Sequence, residues 1–236
     1  MVFLIPARKG SKRLTAKNLC SVLGRPLIEY VFESAAFFKG VYPTYVSTDD
    51  EWVVESARHF RFEVINRPPD LADDKAKMSD VIRHSIPHIP EEMPDICVLY
   101  PTNPLRTIQH ICEAVKIWKG ITNPDATLMS VSPVKYRPYG LMETNGSYLK
   151  CSHPYGELFY QDQQMPVLYR ANGAIYIIPA RLILENKINS QLFNKFTVPY
   201  VMDEISGFEI DEPVDIPMAE TLMRFKGMEA RFPTYA

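Results

Sequence analysis

Short apolar runs rich in β-branched and aromatic residues alternate with segments of helical period along most of this chain. That alternation limits the fold more than any other property of the sequence. Strands are expected at 2–5, 44–48, 62–65, 96–100, 126–131, 173–178 and 197–202. Helices are expected over 26–38, 51–59, 79–86, 107–118 and 213–226. In the first of these, Leu27, Ile28, Val31, Phe32 and Ala35 recur at helical spacing. Asp49 and Asp50 precede the second and can cap it. A βαβα succession folds as a mostly parallel sheet with helices on both faces, an α/β class. The rhythm breaks between 132 and 169, where tyrosine, proline and glutamine replace it and Asn145-Gly146 signals a hairpin. That stretch reads as an arm inserted in a single domain spanning 1–236.

Composition narrows the function classes. Apolar residues make up 46% of the 236, enough for a sizeable core and too many for disorder. The net charge of −2 argues against nucleic-acid binding, for which a basic domain is expected. No apolar run approaches the ~18 residues of a membrane span. The N-terminal run is too short for a secretion signal before Pro6-Ala7-Arg8. Cys20, Cys97, Cys112 and Cys151 lie far apart with no CxxC pair, as expected of reduced thiols in a cytoplasmic protein, with Cys97 in the core.

Positive charge concentrates directly after the first strand. Arg8, Lys9, Lys12, Arg13 and Lys17 fall within ten residues, with Gly10 and Ser11 among them and no acid. Such a loop can aim backbone N–H groups at phosphate oxygens and neutralise them, which suits a triphosphate. A solvated basic loop is the plainer alternative, and the spacing is not that of a Walker motif. Ligands of open α/β sheets lie beyond the carboxyl ends of the strands. The other expected strand ends carry Ser47-Thr48-Asp49-Asp50, Asn66-Arg67-Pro68-Pro69 and Pro101-Thr102-Asn103-Pro104-Leu105-Arg106. Arg67 and Arg106 suit a second, anionic substrate, and each suits a structural salt bridge equally well. Further on, Glu209 and Asp211 stand two apart, so in an extended segment they share a face and can hold Mg²⁺ beside phosphate oxygens. Alternatively Asp211 caps the helix that starts near Pro213, while Asp215 complements that helix's dipole.

Several ordered motifs resemble one family. Ile5-Pro6-Ala7-Arg8-x-Gly10-Ser11-Lys12 with Lys17-Asn18 is similar to the signature of the acylneuraminate cytidylyltransferases, the CMP-sialic acid synthetases. The likeness continues through Val46-Ser47-Thr48-Asp49, Arg67-Pro68 with Leu71-Ala72-x-Asp74, and Pro101-Thr102-x-Pro104-Leu105-Arg106. It ends with Arg170-x-Asn172-Gly173-Ala174-Ile175-Tyr176 and Ile210-Asp211 with Asp215 and Ala219-Glu220. The resemblance implies a Rossmann-like nucleotidyltransferase fold and transfer of CMP from CTP to the anomeric hydroxyl of a nine-carbon 2-keto sugar acid, with Mg²⁺. It implies CTP contacts from Ala7, Arg8, Gly10, Ser11, Lys12, Lys17, Asn18 and Arg67. Arg8, Lys17 and Asp211 take catalytic roles, with Glu209 and Asp211 at the metal. The acid sugar falls to Tyr100, Thr102, Arg106, Arg170 and Asn172. The inserted arm would make a homodimer, in which the partner subunit's Leu192 and the partner subunit's Phe193 help close the sugar pocket.

The chain also departs from that pattern. Lys9 stands where glycine is usual, Thr15 where proline is common, and Glu209 replaces an aspartate. Met78 takes a position that is usually small and polar. On the sugar side Tyr100 stands where glutamine precedes Pro-Thr, Gly140 where a lysine is expected, and Asp162 near an expected arginine. Carboxylate recognition then falls to Lys135, Arg137 or Arg170. Transfer to a shorter acid or a phosphonate, or CTP binding without transfer, are the competing expectations.

Overall fold

A computed structural model describes residues 1–134, 138–154 and 166–228. Lys135, Arg137 and Asp162, and much of the expected arm, lie outside the described residues. The chain opens with β1 (Val2–Pro6), the two-residue strands β2 (Ser21–Val22) and β3 (Arg25–Pro26), and α1 (Leu27–Ala36). It continues through β4 (Thr44–Thr48), α2 (Glu51–His59), β5 (Glu63–Asn66), α3 (Met78–Ser85), β6 (Asp95–Val98) and α4 (Ile108–Lys119). Next come β7 (Thr127–Pro133), β8 (Met142–Asn145), β9 (Tyr148–Cys151) and β10 (Tyr169–Pro179). The described part closes with α5 (Ala180–Leu184), β11 (Thr197–Val201) and α6 (Asp215–Phe225).

Seven strands form one sheet in the order β11-β7-β10-β6-β1-β4-β5. Neighbours pair in parallel, except that β10 runs antiparallel to both β6 and β7. Strict alternation along β1 divides the core. Phe3 and Ile5 pack with Ile28, Val31 and Phe32 of α1, Val53 of α2 and Ile111 of α4 on one face. Val2 and Leu4 pack with Ile82 of α3 and Ile183 of α5 on the other. Fully burying one such side chain contributes about 1.5–3 kcal/mol, so both layers hold the sheet. Cys97 sits in that core, where burial pushes its thiol up to about 12. A third cluster joins Ala219 and Met223 of α6 to Val22, Leu27, Leu105 and Ile210, which fastens the C-terminal segment over the loops at the strand ends.

The expected elements are present, with shifted ends. β4 and α2 match to the residue, and the Asp50 carboxylate accepts the Trp52 amide as the cap of α2. The Asn145-Gly146 signal corresponds to the β8–β9 hairpin, where Gly146 takes φ +65° in the turn. One helix start differs: α6 begins at Asp215, whose Oδ2 accepts the amides of Asp211 and Glu212. Asp215 therefore organises that turn and the Asp211 carboxylate is left for other partners, which corrects the capping alternative. β2, β3 and α5 were not expected. They are too short to leave a periodic signal.

Candidate active site

β1 pairs with β4 on one side and β6 on the other, so the sheet changes winding direction at β1. Ligands of doubly wound sheets bind outside the strand ends at such a switch point. A cavity of about 410 Å³ opens there, lined by Arg8, Gly10, Ser11, Lys12, Arg13, Lys17 and Asn18 after β1. Arg67 and Asp74 after β5, and Tyr100 and Thr102 after β6, complete its polar wall.

The basic loop is tied at its ends and charged in its middle. Asn18 Nδ2 donates to the Arg8 carbonyl (2.9 Å), and the Lys9 amide donates to Asp49 Oδ1 (2.7 Å). Four cations are shared between two carboxylates. Arg8 NH2 (2.5 Å) and Lys12 Nζ (2.9 Å) take the two oxygens of Asp74. Lys17 Nζ (2.5 Å) and Arg13 NH1 (3.1 Å) take those of Asp211. Hydrogen bonds from Lys12 and Arg8 hold the Asp74 carboxyl below the usual carboxylate range. Burial opposes charge on Asp211, but Lys17 and Arg13 outweigh it, and this carboxyl is also held low.

Glu209 behaves oppositely. Burial first, and the neighbouring Asp211 second, raise its carboxyl above the usual range, although Thr102 Oγ1 donates to its Oε1 (2.9 Å). The segment carrying both acids has no regular secondary structure and is locked to the loop after β6. The Ile210 amide donates to the Thr102 carbonyl (2.9 Å), and Asn103 Nδ2 donates to the carbonyls of Asn172 (2.8 Å) and Phe208 (3.3 Å). Two glycines allow the close fit. Gly173 has φ +72°, and a Cβ there would lie 3.3 Å from Glu209 Oε1. A Cβ on Gly207 would meet Ser132 Oγ at 2.2 Å and Asn172 Nδ2 at 2.7 Å.

Two carboxylates of opposite tendency beside a cationic loop fit a hard divalent cation that takes its remaining oxygens from phosphate and water. Among the described residues no group of three or more His, Cys, Asp or Glu side chains could hold a metal by itself.

The expected sugar ligands are only partly brought together. Tyr100 and Thr102 line the cavity. Arg106 does not: it is 3% exposed, and NH1 donates to the carbonyls of Tyr100 (2.9 Å) and Ala174 (2.8 Å). Burial lowers its guanidinium to about 10. Asn172 is fully buried and bonded to Ser130, Ser132 and the Ala174 amide. Neither lines the cavity, and both side chains are engaged within the framework. Their side chains are occupied by β7, β10 and the strand-end loop. Arg170 is exposed near enough to Glu209 to act on its charge. Ala7 is buried and its amide donates to Ser47, so it shapes the loop from beneath. Arg67 lines the cavity from a buried position, donating to the Ser47 carbonyl (2.8 Å) and hydroxyl (3.2 Å), and burial lowers its guanidinium to about 10. Asp74, the counter-ion to two loop cations, had no assigned role in the sequence. Its only signal was its place in the Leu71-Ala72-x-Asp74 motif.

A second cavity of about 620 Å³ adjoins the first, sharing Met78 and Tyr100 as a common wall. The chain's own Leu192 and Phe193 line it.

A switch-point site with a cationic loop and a carboxylate pair defines a nucleotide-handling α/β protein of the nucleotidyltransferase kind. The chain belongs to the cytidylyltransferase family, whose model matches residues 2–222. It is 29% identical to the N-acylneuraminate cytidylyltransferase of Escherichia coli O18:K1:H7 over 97% of this chain and 53% of that one. It is 32% identical to the CMP-N,N'-diacetyllegionaminic acid synthase of Legionella pneumophila over 93% and 94% of the two chains. The chain thus spans about half the length of the first relative and nearly all of the second. The solved structure of a CMP:2-keto-3-deoxy-manno-octonic acid synthetase complexed with CTP shares the fold. Its TM-score is 0.69 at 18% identity, covering 95% of this chain and 98% of that one. Among the described residues no helix is long and apolar enough to cross a membrane.

Proposed function

We propose that the protein transfers CMP from CTP to the anomeric hydroxyl of a sialic-acid-like 2-keto sugar acid, releasing pyrophosphate, in the cytoplasm. The observation that carries this is the meeting of two cavities at Met78 and Tyr100, one walled by four cations that pair with Asp74 and Asp211. Arg8, Lys12, Arg13 and Lys17 hold the triphosphate, with Gly10 and Ser11 leaving room for its oxygens. Asn18 and Arg67 position the nucleotide. Glu209 and Asp211 hold Mg²⁺, which when bound supplies positive charge to the phosphates. The hydroxyl oxygen of the sugar bonds to the α-phosphorus, the α–β phosphoanhydride bond breaks, and pyrophosphate leaves with the bonding electrons while the hydroxyl proton is released. Such transfer needs positioning and charge stabilisation more than covalent help from the protein. Tyr100, Thr102 and Arg170 face the acid sugar.

Homodimer formation is part of the same proposal. The β8–β9 hairpin stands off the main sheet with Leu141, Met142, Tyr148 and Leu149 exposed. Met142 and Leu149 lie on one face of the hairpin and Tyr148 on the other; a two-stranded hairpin is marginal alone, and covering these side chains against a second copy stabilises it.

Pyrophosphate release from CTP and Mg²⁺ over a panel of 2-keto sugar acids tests the transfer. Release with at least one nonulosonic acid is expected. CTP binding with no release for any acid would leave a nucleotide-binding homologue without transfer chemistry.

A further inference from the structure

We infer that the second cavity selects the tail of the sugar acid, taking one that is deoxygenated and N-acylated and so presents methyl groups, over one that is polyhydroxylated. This rests on the proposed transfer reaction. The attacking anomeric hydroxyl and the carboxylate share one carbon atom, so both must lie where the cavities meet, beside Tyr100 and Thr102. The far end of the sugar then projects into the second cavity.

That cavity is apolar by construction. Met78, Met129, Val131, Tyr176, Leu192 and Phe193 form its body, and among the described residues its lining includes no cation or carboxylate. Tyr100 packs edge-on against Tyr176 with ring centroids 5.7 Å apart, so the shared wall is aromatic. The Thr197 hydroxyl at the margin is already bonded to Thr127 and to the Asn194 carbonyl. A row of tail hydroxyls would exchange water there for the scattered hydroxyls of Tyr100, Tyr169 and Tyr176 at best, whereas methyl groups gain contact with Met78, Met129, Val131, Leu192 and Phe193. Ser190 and Gln191 remain on the lining, a polar content matched to an amide.

The wall from β10 toward β11 is also held in place. Asn189 Oδ1 accepts the amides of Gln191 (3.0 Å) and Phe193 (3.1 Å), and the Leu192 amide donates to the Asn189 carbonyl (3.0 Å). Leu192 has φ +63°, an unfavourable backbone for a leucine, yet its side chain is buried in the cluster that forms this cavity. The loop is shaped so that two apolar side chains face the space.

Two acids with the same 2-keto-acid head test this. N-acetylneuraminic acid carries a trihydroxylated tail, and N,N'-diacetyllegionaminic acid carries an acylamino, deoxy tail. With CTP and Mg²⁺, kcat/KM for pyrophosphate release is expected to be at least about tenfold higher for the second, within the range that methyl-sized differences produce in apolar pockets. Phe193→Ser, at a 39% exposed position, and the near-isosteric Val131→Thr should each narrow that ratio by about threefold or more. Equal efficiency, or preference for the hydroxylated tail, overturns the inference and leaves the transfer reaction standing. Release with neither of these nor any other acid overturns both.

Discussion

Two cavities meet at Met78 and Tyr100, and they are made of opposite materials. The first takes most of its charge from one continuous stretch, Arg8 to Lys17, and each of the four paired cations has a named carboxylate. The second is assembled from side chains on α3, β7, β10, β11 and the loops after β6 and before β11, and among the described residues its lining includes no charged residue. On the proposed function, the difference follows from what each must meet. A triphosphate presents the same dense charge whatever sugar is used, so its site calls for fixed cations. A sugar tail varies in shape and polarity, and a pocket gathered from six segments can change one wall at a time. Met78 and Tyr100, two of the departures from the family pattern, sit on the boundary between these regimes.

The largest effect is expected on the charged side. Asp211→Asn should lower kcat by about a hundredfold or more, equivalent to roughly 3 kcal/mol, with any acid substrate. CTP affinity should be kept, because Lys17 and Arg13 lose a competing partner. Pyrophosphate release and CTP titration measure the two, and full activity would detach Asp211 from the reaction.

Next comes Arg106, the cation that sequence alone places with the sugar. Arg106→Met strips hydrogen bonds from the Tyr100 and Ala174 carbonyls and should cost about 2–4 kcal/mol in urea unfolding. KM for the acid in the folded variant should stay within about twofold of wild type. Unchanged stability with a KM raised about tenfold would make Arg106 a ligand and break the contrast between the cavities.

The smallest effect separates the two acids of the charged side. Glu209 has its carboxyl raised by burial and by Asp211, so above its unfolded value the native state binds more protons than the unfolded state and loses stability as pH rises. Glu209→Gln removes that loss. In EDTA the variant should melt higher than wild type at neutral pH, by on the order of 2–4 °C per kcal/mol recovered, with the gap closing toward pH 4. Its transfer activity should fall. A lower melting point at neutral pH would show that the ionised Glu209 is stabilising.

Legibility in the sequence follows the same divide. β4 and α2 can be read to the residue because apolar alternation, an Asp cap and a helical period coincide within sixteen residues. The cationic loop is legible because its cations are neighbours in the chain. Arg67 and Arg106 look alike in sequence, each in a polar loop after a strand. Only packing distinguishes them: the loop after β6 folds Arg106 back onto β10, while Arg67 keeps a face on the cavity. The second cavity was hidden because Met129, Val131 and Leu192 differ in no local way from core residues. The antiparallel course of β10 was also hidden, since strand direction is settled by partners far away in the chain.

The pairing of loop cations with Asp74 and Asp211 has a consequence for turnover. These carboxylates occupy the places that phosphate oxygens would take, so they act as resident rivals to the polyphosphate. On the proposed function, each arriving phosphate exchanges one ion pair for another. Lys17 and Arg13 pass from Asp211 to the ligand, and Asp211 is freed for the metal. Binding is therefore weaker than four cations would otherwise give. When the anhydride bond breaks, Asp74 and Asp211 would reclaim these partners and help expel pyrophosphate.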